Sequence, residues 1–296
     1  MLSPDIFIEI GTSEQKELMT SEIKNFLDII GKIFKIWFDI LLIPKNFEQT
    51  VRDLTFNHEY STKRGRINAQ AKFIKNNGEK ILVLSPEIFT EAYDTQVRFH
   101  LYFHETNHFI NSIEKPNYKE LSISEQVYME NISVFYEEYC AERFSLAICE
   151  KLFSTKSVKY VEYILNCCQG HFEIISDIEH DFNETRRLLN EFRKHKNGDK
   201  FIKDIRPIIE PPLLSYFYLL AFNKESSLPK KEIYSNFPAP FNKTASKKMA
   251  ELCHRSFPEP LKPTEVLESV IKFFAQFGFE FETIRPSLIF VRIVDV

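Results

Sequence analysis

The sequence predicts an α+β fold that is predominantly helical, with a small β-sheet, one helix that carries the chemistry and a mostly helical C-terminal half. Three observations point there. Only 7 of the 296 residues are Gly, while Lys, Glu, Leu and Ile are plentiful, which favours helix. Apolar residues recur at helical spacing, as at Leu18, Ile23, Phe26, Leu27, Ile30 and Phe34. Asn76-Asn77-Gly78 separates two strand-like runs, the mark of a hairpin whose turn needs positive φ.

The elements follow in order. Glu14 to about Lys35 is an amphipathic helix. Ile36 to Ile43 is an apolar run ending at Pro44, which suits a buried strand. Asn46 to Leu54 is a short helix with Asn46 as N-cap. Arg66 to Ile74 and Lys80 to Leu84 are the two arms of the hairpin. Pro86 to about Asn111 is helical, and Asn111 to Leu121, containing Pro116, is a loop. Ser122 and Glu125 form a capping box that opens a long helix reaching about Phe153. Val158 to Arg193 is mostly helical. Ile209 to Phe222 is a helix entered through Pro211 and Pro212. Thr244 to Arg255 and Thr264 to Phe277 are helices, the second started by Pro263. Phe279 to Val296 holds two short strands. The end of the long helix suggests a division into residues 1–153 and 154–296, the second part having no role assigned by its sequence.

Composition excludes several classes. Apolar residues make up 44%, with 29 Phe, as in a globular chain rather than a disordered one. The net charge is −4 and no basic cluster sits with an aromatic platform, so nucleic-acid binding has no support. Met1 to Ile10 carries Asp5 and Glu9 and lacks the basic-then-apolar order of a secretory signal. The apolar stretch Phe26 to Ile43 is broken by Asp28, Lys32, Lys35 and Asp39, and Leu213 to Phe222 is too short to span a bilayer. These features predict a cytoplasmic protein with no membrane partner. The five cysteines form no CxxC pair and read as reduced, mostly buried thiols. Adjacent Cys167 and Cys168 are poorly arranged for tetrahedral zinc.

The chemistry concentrates in Phe103-His104-Glu105-Thr106-Asn107-His108-Phe109, which fits HExxH. Residues four apart share one face of a helix, so His104 and His108 can reach one zinc ion. Glu105 is turned away from them around the helix. It is placed to take a proton from a water acidified by the metal and hand it to a leaving amine. A catalytic zinc needs a third protein ligand, and Glu137 to Phe144 on the capped long helix is the best source.

This arrangement resembles the gluzincin peptidases, in which HExxH is followed by a helix carrying Glu-x-x-Ala-Asp or Glu-x-x-Ala-Asn. Glu138-Tyr139-Cys140-Ala141-Glu142 fits that frame, 30 residues after His108. Within that group the chain is most similar to the small ImmA/IrrE-type peptidases, over about residues 36 to 148. The resemblance implies a zincin-like core in residues 1–153, Zn2+ held by His104, His108 and Glu138, and Glu105 as general base. It also implies that Glu142 orients a ligand histidine by a hydrogen bond, and that Ala141 is small so that the two helices pack closely. Asn107 stands where the family often has Gly, and Glu142 is one methylene longer than Asp.

Other readings stand beside these. Glu142, His171 or His180 could supply the third ligand in place of Glu138. His100, one turn before His104, is expected in the core or behind the ligands. The donor for a tetrahedral oxyanion is open among Tyr118, Tyr139, His171, His180 and Arg143. The functional expectation is a zinc peptidase acting on a peptide or protein, in keeping with a family that acts on specific regulators. The alternatives are a zinc-binding regulatory module without turnover, and a helical scaffold with an accidental motif. Oligomeric state has no signature in the sequence.

Overall fold

The computed structural model describes residues 4–64, 67–113, 116–195, 198–225, 237–285 and 288–293. It is α+β and mostly helical, as the composition predicts. The chain forms two compact units, each built from two stretches: residues 1–113 with 144–167, and 114–143 with 168–296.

The first unit is organised by a four-stranded mixed sheet in the order β1-β2-β6-β5. β1 (Asp5–Ile8) and β2 (Ile40–Ile43) run parallel, joined by helix α1 (Ser13–Phe34). β2 runs parallel to β6 (Glu79–Leu84), and β5 (Ala71–Asn76) closes the sheet antiparallel to β6. The hairpin turns at Asn77 and Gly78, with φ of 50° and 88°, the geometry that Asn-Gly supplies at least cost. β2 and the Ile81–Leu84 part of β6 read as continuous apolar runs, as in a sheet covered on both faces. Ile74, Ile81 and Val83 pack against Phe47 and Val51 of α2 (Phe47–Thr55). Phe73, the neighbour of Ile74, stacks on Phe109 of α3 (Thr95–Asn111) with ring centroids 5.2 Å apart. Successive strand residues point to opposite faces, so α2 and α3 lie on opposite sides of the sheet.

Local signals account for most boundaries. Thr12 and Gln15 form a capping box at the start of α1. Asn46 caps α2, its side chain accepting from the Gln49 N–H. Lys35 adopts a left-handed conformation that ends α1, so only Ile40–Ile43 of the expected Ile36–Ile43 strand pairs. Phe38 in the intervening stretch is buried against Phe73 and Phe109. β1 has no counterpart in the sequence reading. The expected arm from Arg66 is split: Ile67–Asn68 (β4) pairs with Lys63–Arg64 (β3) in a separate ribbon, and Arg66 lies outside the described residues.

The helix expected from Pro86 is also divided. Pro86–Phe89 is a single 3₁₀ turn, and α3 starts at Thr95 because the Asp94 side chain accepts from the Val97 N–H at 3.0 Å. Helix α4 (Ile123–Leu152) opens on the expected box: the Ser122 N–H donates to Glu125 and the Glu125 N–H to Ser122 Oγ.

The second unit is helical with one hairpin. The expected Val158–Arg193 stretch comprises α5 (Val158–Ser176), shared between the units, and α6 (Ile178–His195). Helix α7 (Gly198–Glu225) starts well before Ile209 and carries Pro207, Pro211 and Pro212 inside it. Each internal proline costs about 3 kcal/mol in an isolated helix. Here that is offset by burial of Leu213, Leu214, Tyr216, Phe217, Leu219, Leu220 and Phe222. α8 (Thr244–Ser256) and α9 (Pro263–Ala275) match their expected spans closely. Tyr216, Phe217, Phe241, Phe273 and Phe277 make a continuous aromatic core between these helices. β7 (Phe279–Arg285) and β8 (Leu288–Ile293) form the expected terminal hairpin; residues 286–287 and 294–296 of the expected span lie outside the described ones.

No helix among the described residues is long and apolar enough to cross a membrane. The described cysteines are free thiols, four of them buried and Cys167 half-buried.

One polar contact fixes α1 against α3. Arg98 donates from Nε and Nη2 to the two carboxylate oxygens of Glu22, both at 2.7 Å, and both side chains are at most 16% exposed. Tyr102 Oη adds a third contact to Glu22 at 3.3 Å. Replacing Glu22 by Ala strands a guanidinium in a sparsely hydrated place. The expected loss is about 3 kcal/mol of unfolding free energy, read from urea denaturation.

Candidate functional site

Helix α3 is buried nearly all round. Val97, Phe99, Tyr102, Phe103 and Phe109 are buried, and so are the polar residues His100, His104, Glu105, Thr106 and Asn107. A helix without a solvated face belongs in a core. Its polar side chains therefore need partners. Thr106 Oγ1 donates to the Tyr102 carbonyl at 2.7 Å, and Asn111 Nδ2 donates to Asn107 Oδ1 at 3.0 Å. Phe26 of α1 holds the other side, with ring centroids 5.0 Å from Tyr102 and 5.5 Å from Phe103.

On this helix His104 and His108 face one another. Their Nε2 atoms are 3.2 Å apart and their ring centroids 4.9 Å apart. His104 is buried and His108 half-buried. Glu105 points elsewhere, as its position on the helix requires. Its Oε2 accepts from the Phe73 N–H of β5 at 2.6 Å, and the residue is 7% exposed. In the β5–β6 ladder, Asn76 and Glu79 flank the two-residue turn as a hydrogen-bonded pair. Alternate residues of β5 therefore direct their backbone groups to the open edge, and Phe73 is one of them. The edge strand thus holds the Glu105 carboxylate in place.

His100 takes the core role expected of it. It is 1% exposed, with Nε2 3.4 Å from Ser145 Oγ and Nδ1 3.3 Å from Tyr160 Oη.

In the second unit, Glu138 and Glu142 lie one turn apart on α4. Glu138 is half-buried and Glu142 is 3% exposed. Tyr218 Oη of α7 donates to Glu138 Oε2 at 2.6 Å. The Tyr218 ring stacks on His171, centroids 4.5 Å apart, and His171 Nδ1 meets Ser215 Oγ at 3.0 Å. Burial pulls the His171 pKa down from 6.5 to about 4, against the opposing pull of Glu142 and Glu138. His171 is therefore a neutral, hydrogen-bonded core residue. His180 is exposed on α6.

The remaining polar candidates are engaged. Tyr118 Oη pairs with Ser133 Oγ at 2.7 Å. Tyr139 Oη is 2.7 Å from His254 Nδ1 and accepts from Arg143 Nη1 at 2.9 Å, while the Arg143 guanidinium lies over the Phe257 ring at 4.2 Å. Burial raises the Tyr139 phenol above its usual range.

Two of these hydrogen-bond donors have no mark in the sequence. Tyr218 stands 80 residues from Glu138 in an apolar helix, with nothing local to mark it. The Phe73 N–H is a backbone donor and has no signature in residue type. No family model matches this chain, and neither a curated protein nor a solved structure matches it.

The depressed His171 pKa has a consequence for stability. The unfolded chain takes up a proton at this residue near pH 6.5, and the folded chain does so only near 4. Between those values the unfolded state binds more protons, so stability falls as pH falls. His171→Gln should remove on the order of 3 kcal/mol of this acid-side loss, measured by urea denaturation at pH 7 and pH 4.5.

Proposed function

We propose that the chain is a zinc-dependent peptidase in which His104, His108 and Glu138 hold the ion and Glu105 is the general base. The observation that carries this reading is the donor set. One ligand atom from each of His104, His108 and Glu138 lies within 4.8 Å of the other two. The chemistry of the set fits as well. The two Nε2 atoms lie 3.2 Å apart on one face of the helix, so both would be available to one ion. Two imidazoles and one carboxylate suit a catalytic zinc and leave a fourth position for water or substrate. The small mixed sheet, its antiparallel edge hairpin beside the HExxH helix and the long helix bearing Glu138 and Glu142 support a zincin-like, gluzincin-type core.

Bound there, zinc supplies Lewis-acid polarisation of a peptide carbonyl and draws the pKa of a water toward about 7. The chain's own residues do the rest. Glu105 accepts the proton of the attacking water at its carboxylate and releases it to the amine nitrogen as the C–N bond breaks. The Phe73 N–H restricts that carboxylate to one orientation while one of its oxygens serves the transfer. Tyr218 restricts the Glu138 carboxylate in the same way, so the ligand does not have to be ordered when the metal arrives. Glu142, one turn further along α4, orients a ligand imidazole. The substrate is a peptide or a specific protein.

The hydrogen bond from Phe73 to Glu105 also favours a second reading, a zinc-binding regulatory module in which the strand withholds the base from any water. Turnover separates the two. Purified protein should carry about one zinc per chain, and Glu105→Gln should keep that zinc while losing cleavage of an unstructured peptide mixture by at least about a hundredfold. Equal cleavage by the variant refutes the base. Absence of cleavage by the zinc-loaded wild type favours the module. Tyr218→Phe should weaken zinc binding about tenfold in competition with a chromogenic chelator, with the thermal unfolding midpoint little changed.

A further inference from the structure

The first unit carries a groove of about 390 Å³ that the proposed chemistry does not use. Lys35, Trp37, Lys75, Lys80, Phe109 and Ile113 line it. Its construction is specific. Lys35 ends α1 in the left-handed conformation with φ of 58°, which turns the chain so that Trp37 folds back over α1. The indole edge rests on Gly31. A Cβ there would stand 3.1 Å from Trp37 Nε1, so even alanine would make the indole give by a few tenths of an ångström. Trp37 remains 37% exposed and Ile113 59% exposed, an apolar surface left open in the groove. Lys80 Nζ lies 3.5 Å from Asp39 and 5.6 Å from the centre of the Phe109 ring. Lys35 and Lys75 are exposed and have no such carboxylate at hand among the described residues. The groove therefore combines an aromatic and aliphatic floor with uncompensated positive charge.

Its position relates it to the HExxH helix. Phe109 follows His108 directly and stacks on Phe73, whose N–H holds Glu105. Lys75 lies two residues beyond Phe73 on β5, so its backbone groups face the same open edge by the alternation of an antiparallel ladder. An extended peptide pairing along that edge would send alternate side chains toward the groove. A nucleotide or a free phosphate has no use for the strand edge or for the aliphatic floor.

We propose that this groove binds an extended acidic segment in which carboxylates alternate with apolar side chains, the carboxylates meeting Lys35 and Lys75 and an apolar side chain resting on Trp37. As a statement about substrate it rests on the peptidase reading: the groove would select acidic-apolar segments for cleavage. As a statement about binding it stands on the first unit alone.

The test uses the chain's single tryptophan. Trp37 emission is followed while a capped peptide of alternating Glu and Leu is added to the 296-residue Glu105→Gln chain, with and without metal. The expected result is a saturable change in emission, the same in both forms. The affinity should fall at least about tenfold in 0.5 M salt and at least about tenfold in the Lys35→Glu/Lys75→Glu double variant. If charge reversal disturbs folding, Lys35→Gln/Lys75→Gln should still lose about threefold. A Lys-Leu peptide should leave the emission unchanged. No saturable change, or a change indifferent to both lysines, overturns the proposal. So does tighter, lysine-dependent binding of an oligothymidylate. Peptide bound at the groove but never cut by wild-type zinc protein keeps the groove and removes the peptidase. Peptide cut equally well by the double variant keeps the peptidase and removes the groove.

Discussion

Two imidazoles four residues apart on a buried helix are the constraint on which the rest of this account depends. One turn of α3 brings their Nε2 atoms to 3.2 Å. At that distance the two ring nitrogens are in hydrogen-bond contact, and the same spacing suits two ligands of one ion. The helix has no solvated face, so its polar side chains must be matched by partners. Thr106, Asn107 and His100 find theirs inside the first unit.

The position of α3 depends in turn on the sheet and on α1. Phe109 stacks on Phe73, Phe26 packs against Tyr102 and Phe103, and Arg98 is pinned by Glu22. The same edge strand that packs the helix holds Glu105 through one backbone N–H. Packing of α3 and placement of the Glu105 carboxylate are thus not separable here. A shift of β5 by one residue would exchange Phe73 for a neighbour facing the other side of the sheet, removing both the aromatic stack and the hydrogen bond. The second unit treats its carboxylates in a comparable way: Tyr218 holds Glu138, while its ring covers a histidine kept neutral by burial.

What could be read from the sequence was what is local. The histidine pair, the Asn-Gly turn, the Ser122–Glu125 box and the Asn46 cap each involve residues within four positions of one another. What escaped depends on distance along the chain. β1 is four residues with no turn signal of its own, and its identity as a strand comes from pairing Asp5 with Ile40. α7 runs through three prolines because the aromatic core on its buried face outweighs local propensity. Asp94 split an expected helix because a cap inside an apolar stretch competes with continuation, and the side-chain bond to Val97 decided it. Tyr218 and the Phe73 N–H were invisible for the same reason, since their partners lie 80 and 32 residues away.

The most direct test of the central claim is zinc X-ray absorption on the purified, zinc-loaded protein. The expected spectrum shows a first shell of nitrogen and oxygen at about 2.0–2.2 Å with the multiple-scattering pattern of two imidazoles. That pattern should disappear, with the metal, in His104→Ala. A sulfur shell at about 2.3 Å, or retention of the same spectrum without His104, would contradict it.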